Sequence, residues 1–166
     1  MIHVFIVLTG VLSLLLAQAS RAQSKITLTK GDDVVLVGSG MGSRMIHYGH
    51  FETEIFLRHP THDLTIRNLC DEGNTPGFRP HPSREQEEQY AFPGAKDLIH
   101  EDLKAQTKPK GQFPSPSQWL SDLHAEVILC FFGFNSSFDG PGQVGRFKKE
   151  LDAYLKHLSS KPFGVS

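Results

Sequence analysis

Apolar and polar positions recur along this chain with periods that change from segment to segment. Val34-Val35-Leu36-Val37 is a short, continuous, mostly β-branched run, and it predicts a strand buried on both faces. It ends at Gly38-Ser39-Gly40. Met41, Met45, Tyr48, Glu52 and Ile55, flanked by Phe51 and Phe56, mark a helical row that predicts a helix from about Gly42 to His59, stopped by Pro60. Residues 63–69 read as a second strand. Val127 to Phe132 is the clearest strand signal, and Gly133-Phe134-Asn135-Ser136 terminates it. Val144, Phe147, Leu151, Tyr154, Leu155 and Leu158 recur at three- and four-residue spacing and predict an amphipathic helix over about 143–158.

Between the second and third strands, residues 71–118 show no sustained period. They hold most of the proline, the charge run Arg84 to Gln89 and the basic stretch Lys104 to Lys110. This predicts a long surface excursion, with a short helix near Ala95–Gln106 and a helical turn or two over 117–123. Strand, helix, strand, excursion, strand, helix is an order that predicts helices packed on a parallel sheet, an α/β domain over residues 25–166. Three strands make a thin sheet, and the last helix is expected to lead into another strand. The expectation is an incomplete domain, or one completed by another chain or domain.

The first apolar run, Val4 to Leu16, is shorter than the ~20 residues of a spanning helix. Small residues follow it, and cleavage after Ala19 or after Ala22 suits a signal peptide over 1–22. The expected location is therefore secreted or periplasmic, with no stable membrane span. In 166 residues there is room for one domain, and 12 Phe within a 39% hydrophobic composition can build its core. The net charge of −1 gives no basic field for nucleic acid. An oxidising compartment permits a disulfide between Cys70 and Cys130, if their geometry allows one.

In open parallel sheets ligands bind beyond the carboxyl ends of the strands. Three loops leave such ends here: Gly38-Ser39-Gly40, Asn68 to Gly73, and Gly133 to Ser136. Glycine turns and asparagine amides offer donors to a developing oxyanion. At these residues the chain resembles the SGNH/GDSL hydrolase family. Val34 to Gly40 is similar to its first block, Asn68-Leu69-Cys70-Asp71-Glu72-Gly73 to its second and Gly133-Phe134-Asn135-Ser136 to its third. The wording of residues 66–69, 115–120 and 131–138 most resembles the SGNH-like domain of exported planctomycete-type proteins. The likeness spans about residues 31–158. It implies a flavodoxin-like three-layer fold and hydrolysis of an ester, such as an acetyl group on a carbohydrate, without a cofactor.

Carried over residue by residue, the resemblance puts Asn68, Gly73 and Asn135 on the oxyanion side. The nucleophile's position holds Gly40, with Ser39 one residue early as the candidate. Cys70 replaces a donor glycine, and no Asp-x-x-His block follows Asn135. With nucleophile and base both displaced, the expectation is an inactive or incomplete hydrolase domain. A non-catalytic binding or accessory module is the second reading. A nucleotide-binding domain is the third, from Gly38-x-Gly40-x-x-Ser43 after a strand. His47, His50 and Glu54 would share a helix face suited to zinc, although a solvated polar face is the commoner meaning of such spacing. His59, His62, His81 and His100 fall in turns and loops, where surface roles are expected. Asn135-Ser136-Ser137 is a glycosylation sequon that carries meaning only in a eukaryotic secretory route.

Overall fold

The computed structural model describes residues 26–84, 89–106, 108 and 110–163. The expected signal peptide over 1–22 and most of the charge run after Arg84 lie outside the described residues. Three strands form one parallel sheet: β1 (Asp33–Gly38), β2 (Thr65–Asn68) and β3 (Val127–Phe131). Their spatial order is β2-β1-β3. Val34 stands beside Ile66 on one side and Val127 on the other. Beginning β1 at Asp33 and ending it at Gly38 adds one residue at each end to the apolar run read from the sequence.

Alternation along β1 divides the core. Val34 and Leu36 pack on one face with Ile66 and Cys70, under Met45, Phe51 and Ile55. Val35 and Val37 pack on the other with Phe92, Ala95, Leu120 and Tyr154. Burial on both faces is the reason the central strand carries no polar side chain between Val34 and Val37.

The expected helix over 42–59 is two helices. α1 (Gly40–Arg44) passes through a single 3-10 turn at Met45–His47 and stops, and α2 (His50–Arg58) restarts the row. Gly49 separates them at φ +60°, a left-handed conformation open to glycine. Short helices α3 (Glu101–Lys104) and α4 (Pro116–Asp122) follow. In α4 the Ser115 hydroxyl accepts the Gln118 N–H and Pro116 occupies the first turn, a strong start signal. After β3 come α5 (Phe134–Ser137) and α6 (Val144–Ser159), the latter within a residue of its sequence expectation. None of the described helices is long and apolar enough to cross a membrane.

The stretch expected to be a surface excursion is instead a layer of the core. Phe78, Ala91, Phe92, Ala95 and Ile99 are buried, and so are Thr75 and Gln89. Phe78 pairs with Tyr90 in an antiparallel bridge, and the Gln89 side chain donates to the Arg79 and Pro80 carbonyls. Glu150 on α6 ties this layer down. It is fully buried, and its Oε1 accepts the Thr75 hydroxyl at 2.5 Å and the Gly77 N–H at 2.7 Å. Arg146, one turn earlier, stands 3.8 Å from Oε2.

Removing a buried acceptor strands its donors. Glu150→Ala is expected to lower stability by about 2–4 kcal/mol in urea unfolding, and Glu150→Gln, which keeps one oxygen acceptor, by less. A loss below ~0.5 kcal/mol for the alanine variant would mean that the carboxylate does not fasten the layer.

Candidate functional site

The carboxyl ends of all three strands meet, and asparagine side chains join them. Asn74, nearly fully buried, donates its amide to the Gly38 carbonyl at 2.9 Å. The Asp71 N–H reaches the same carbonyl at 3.0 Å. Asn135, at the start of α5, donates to the Asn74 carbonyl at 3.0 Å and to the Glu72 carbonyl. Asn68 donates to the Gly42 carbonyl at 2.8 Å while its oxygen accepts the Cys70 N–H at 2.9 Å. These contacts fix the loop after β2 against both of its neighbours.

The residues carried over from the resemblance are gathered here, but their polar atoms point into the protein. Ser39 is fully buried, and its hydroxyl donates to the Phe131 carbonyl at 3.3 Å. Its backbone N–H goes to the same carbonyl at 3.0 Å. Gly38, at φ +148°, lies so close to Phe131 that a side chain would overlap the Phe131 carbonyl. Gly73 packs against Pro80, which occupies the space a side chain would need. The Phe134 ring lies 3.5 Å from where a Cβ on Gly40 would stand, so it covers the turn at which a phosphate would approach. His47 precedes the break at Gly49, His50 stacks under Tyr48, and Glu54 pairs with Arg58.

A cavity of about 260 Å³ opens beside this junction, on the face of the sheet that carries Val37. Leu69, Trp119, Leu120 and Tyr154 give it apolar walls, and Phe113 and two prolines close another side. Of the loop after β2, Cys70, Asp71 and Asn74 face it. The layer formed by residues 71–118 adds Arg79, His81 and Ser83. Ser39, Asn68, Gly73 and Asn135 lie outside the lining.

The polar side of the cavity is ordered by direct contacts. Arg79 donates through Nη1 to the Thr75 and Phe78 carbonyls and lays its guanidinium over the Phe132 and Tyr154 rings, 5.4 and 5.7 Å from their centroids. His81 Nε2 pairs with Asp71 Oδ2, and the Phe113 ring lies 5.5 Å from the imidazole. Asp71 is itself held, because its Oδ1 accepts the Glu72 N–H at 2.8 Å. A surface role was expected for His81. Its side chain is indeed 63% exposed, but it stands at the cavity mouth with a carboxylate partner ten residues earlier in the chain.

Burial sets the chemistry of the thiol. It pushes Cys70 from 9.0 up to about 12, against the opposing pull of the Arg79 charge. Cys70 therefore stays a neutral thiol at ordinary pH, a poor nucleophile. Both cysteines are free, and β1 stands between the strands that lead to them. A hydroxyl–imidazole pair lies outside the cavity lining: Ser117 Oγ on α4 is 2.9 Å from His157 Nε2 on α6. Desolvation, with the Lys161 charge, lowers the pKa of this imidazole.

No family model, curated protein or solved structure matches this chain.

Burial also raises Tyr154 from 10.0 to about 12. Both acids ionise more readily in the unfolded chain, so stability is full below about pH 9 and declines as pH rises toward 12. Thermal melts between pH 8 and 11.5 are expected to show that decline, and Cys70→Ala is expected to flatten it. An equal decline in the variant would mean that the thiol is not protected by burial.

Proposed function

We propose that this chain is an SGNH-like α/β domain whose strand-end cavity binds a small, largely apolar molecule without the family's serine chemistry. The observation that carries this reading is the cavity itself. It lies at the carboxyl end of the central strand, where open parallel sheets collect ligands. Its apolar walls carry a few convergent polar groups, the usual make-up of a small-molecule site.

Two further observations favour binding over hydrolysis through Ser39. That hydroxyl is enclosed and already donates to a backbone carbonyl. The amides of Asn68 and Asn135 are spent on backbone carbonyls, of Gly42 in α1 and of Glu72 and Asn74 in the loop after β2. An oxyanion hole needs donors aimed at the reacting oxygen, and these are aimed at the chain. The flavodoxin-like reading of the sheet belongs to the same proposal. It is supported by the strand order β2-β1-β3 and by helices packed on both faces. Export is part of the proposal too, and it rests on the sequence of residues 1–22 alone.

The single tryptophan of the chain, Trp119, lines the cavity, so its fluorescence reports occupancy without a label. Titration with small aryl and acyl esters, phenyl acetate among them, is expected to give a saturable change. Leu69→Phe, which fills the wall, should weaken that binding by about 10-fold or more, because overpacking leaves no room for the ligand. No saturable change, or equal binding by the filled variant, would overturn the reading.

A further inference from the structure

We propose that the cavity selects a monocarboxylate carried on a small apolar body, and that Arg79 receives the carboxylate. The inference rests on the binding reading above and names the chemical class of the ligand.

Arg79 lines the cavity, and among the described residues no carboxylate is ion-paired to it. The acids nearby are matched elsewhere. Asp71 pairs with His81 at the cavity mouth. Glu150 lies 3.8 Å from Arg146 and accepts the Thr75 hydroxyl and the Gly77 N–H. The two weak acids that feel the Arg79 charge, Cys70 and Tyr154, are kept neutral by burial and supply no counter-charge. The hydrogen bonds that Nη1 makes end on the Thr75 and Phe78 carbonyls, which are neutral as well. A cation held beside apolar walls without a counter-charge is costly, and an anion that enters the cavity offsets that cost.

The guanidinium is also fixed in place. Nη1 is anchored on two carbonyls, and the Phe132 and Tyr154 rings lie 5.4 and 5.7 Å away. One of those carbonyls belongs to Thr75, whose hydroxyl is bound by the buried Glu150. A receptor group ordered in this way loses little freedom when a ligand binds.

The rest of the lining narrows the class. A planar guanidinium suits the two oxygens of a carboxylate. A phosphate monoester would bring a second negative charge toward Asp71, and Arg79 is the one lysine or arginine in the lining to balance it. Leu69, Trp119 and Leu120 offer apolar wall to the remainder of the ligand. The volume of about 260 Å³ is at the small end for ligand sites, which suits one aromatic ring or a short chain.

The test titrates the full chain with 3-phenylpropanoate, its methyl ester and phenyl phosphate, read by Trp119 fluorescence and by calorimetry. The carboxylate is expected to bind about 10-fold or more tighter than the ester, the usual scale of one hydrogen-bonded charge. Arg79→Gln, whose amide can still donate to the two carbonyls, should remove that preference and leave ester binding within about 3-fold of the parent chain. Arg79→Lys, which keeps the charge without the fork, should retain part of the preference. Circular dichroism on the same samples reports folding. If Arg79→Gln loses the ester too, Arg79→Lys decides: a retained preference for the carboxylate supports the proposal, and a lost one overturns it. Equal binding of carboxylate and ester by the parent chain, or a preference that survives Arg79→Gln, overturns the proposal and leaves the binding reading standing. Tighter binding of phenyl phosphate overturns the choice of carboxylate. Absence of binding by all three probes overturns both readings.

Discussion

One buried amide holds the strand exits of this molecule together. Asn74 donates to the carbonyl of Gly38, the last residue of the central strand, from a loop that belongs to the neighbouring strand. Asn135, from the third strand's exit, donates in turn to the Asn74 carbonyl. Parallel strands end without hairpins, so their exits are free to diverge unless side chains connect them. Here the connection is made by two asparagines in series. In a water-poor junction each bond is costly to leave unmade.

The same arrangement turns the polar groups that carry the family resemblance into the protein. Glycine turns and asparagine amides at strand ends suit an oxyanion site when they face outward. Turned inward, they are structural ties. The cavity then forms one step away, where the tied loop brings Asp71 and Asn74 and the layer that follows it brings Arg79, His81 and Ser83. Glu150 anchors that layer from α6. The two faces of β1 therefore have different surroundings. Val34 and Leu36 are covered by Met45 and by Phe51 and Ile55 of α2, while Val37 lines the cavity.

Much of the fold could be read from the chain because its signals are local. The β-branched run at 34–37, the run at 127–132 and the helical spacing over 143–158 all became the expected elements. The break at Gly49 was hidden, because a glycine inside a helical stripe looks the same whether it takes φ −60° or the observed +60°. The burial of Phe78, Phe92 and Ala95 was hidden for a different reason. Isolated apolar residues among prolines carry no period, and only contacts distant in sequence place them inside. The candidate site was legible as a neighbourhood and not as a residue list. Asn68 and Asn135 pointed to the end of the sheet beside which the cavity opens, whereas the partnership of Asp71 with His81 depends on how the chain turns after Gly73. The signal that the sequence offered for it is spacing alone, an acid at Asp71 ten residues before His81.

The central claim is that the Asn74 amide locks the loop that shapes the cavity. Hydrogen–deuterium exchange on Asn74→Ala tests it most directly. The Asp71 N–H, bonded to Gly38, and the Thr75 N–H, bonded to Phe78, should exchange about 100-fold faster than in the parent chain, while the amides of α6 keep their protection. Unchanged protection at residues 71–75 would contradict the account, since the loop would then be held by something other than this bond.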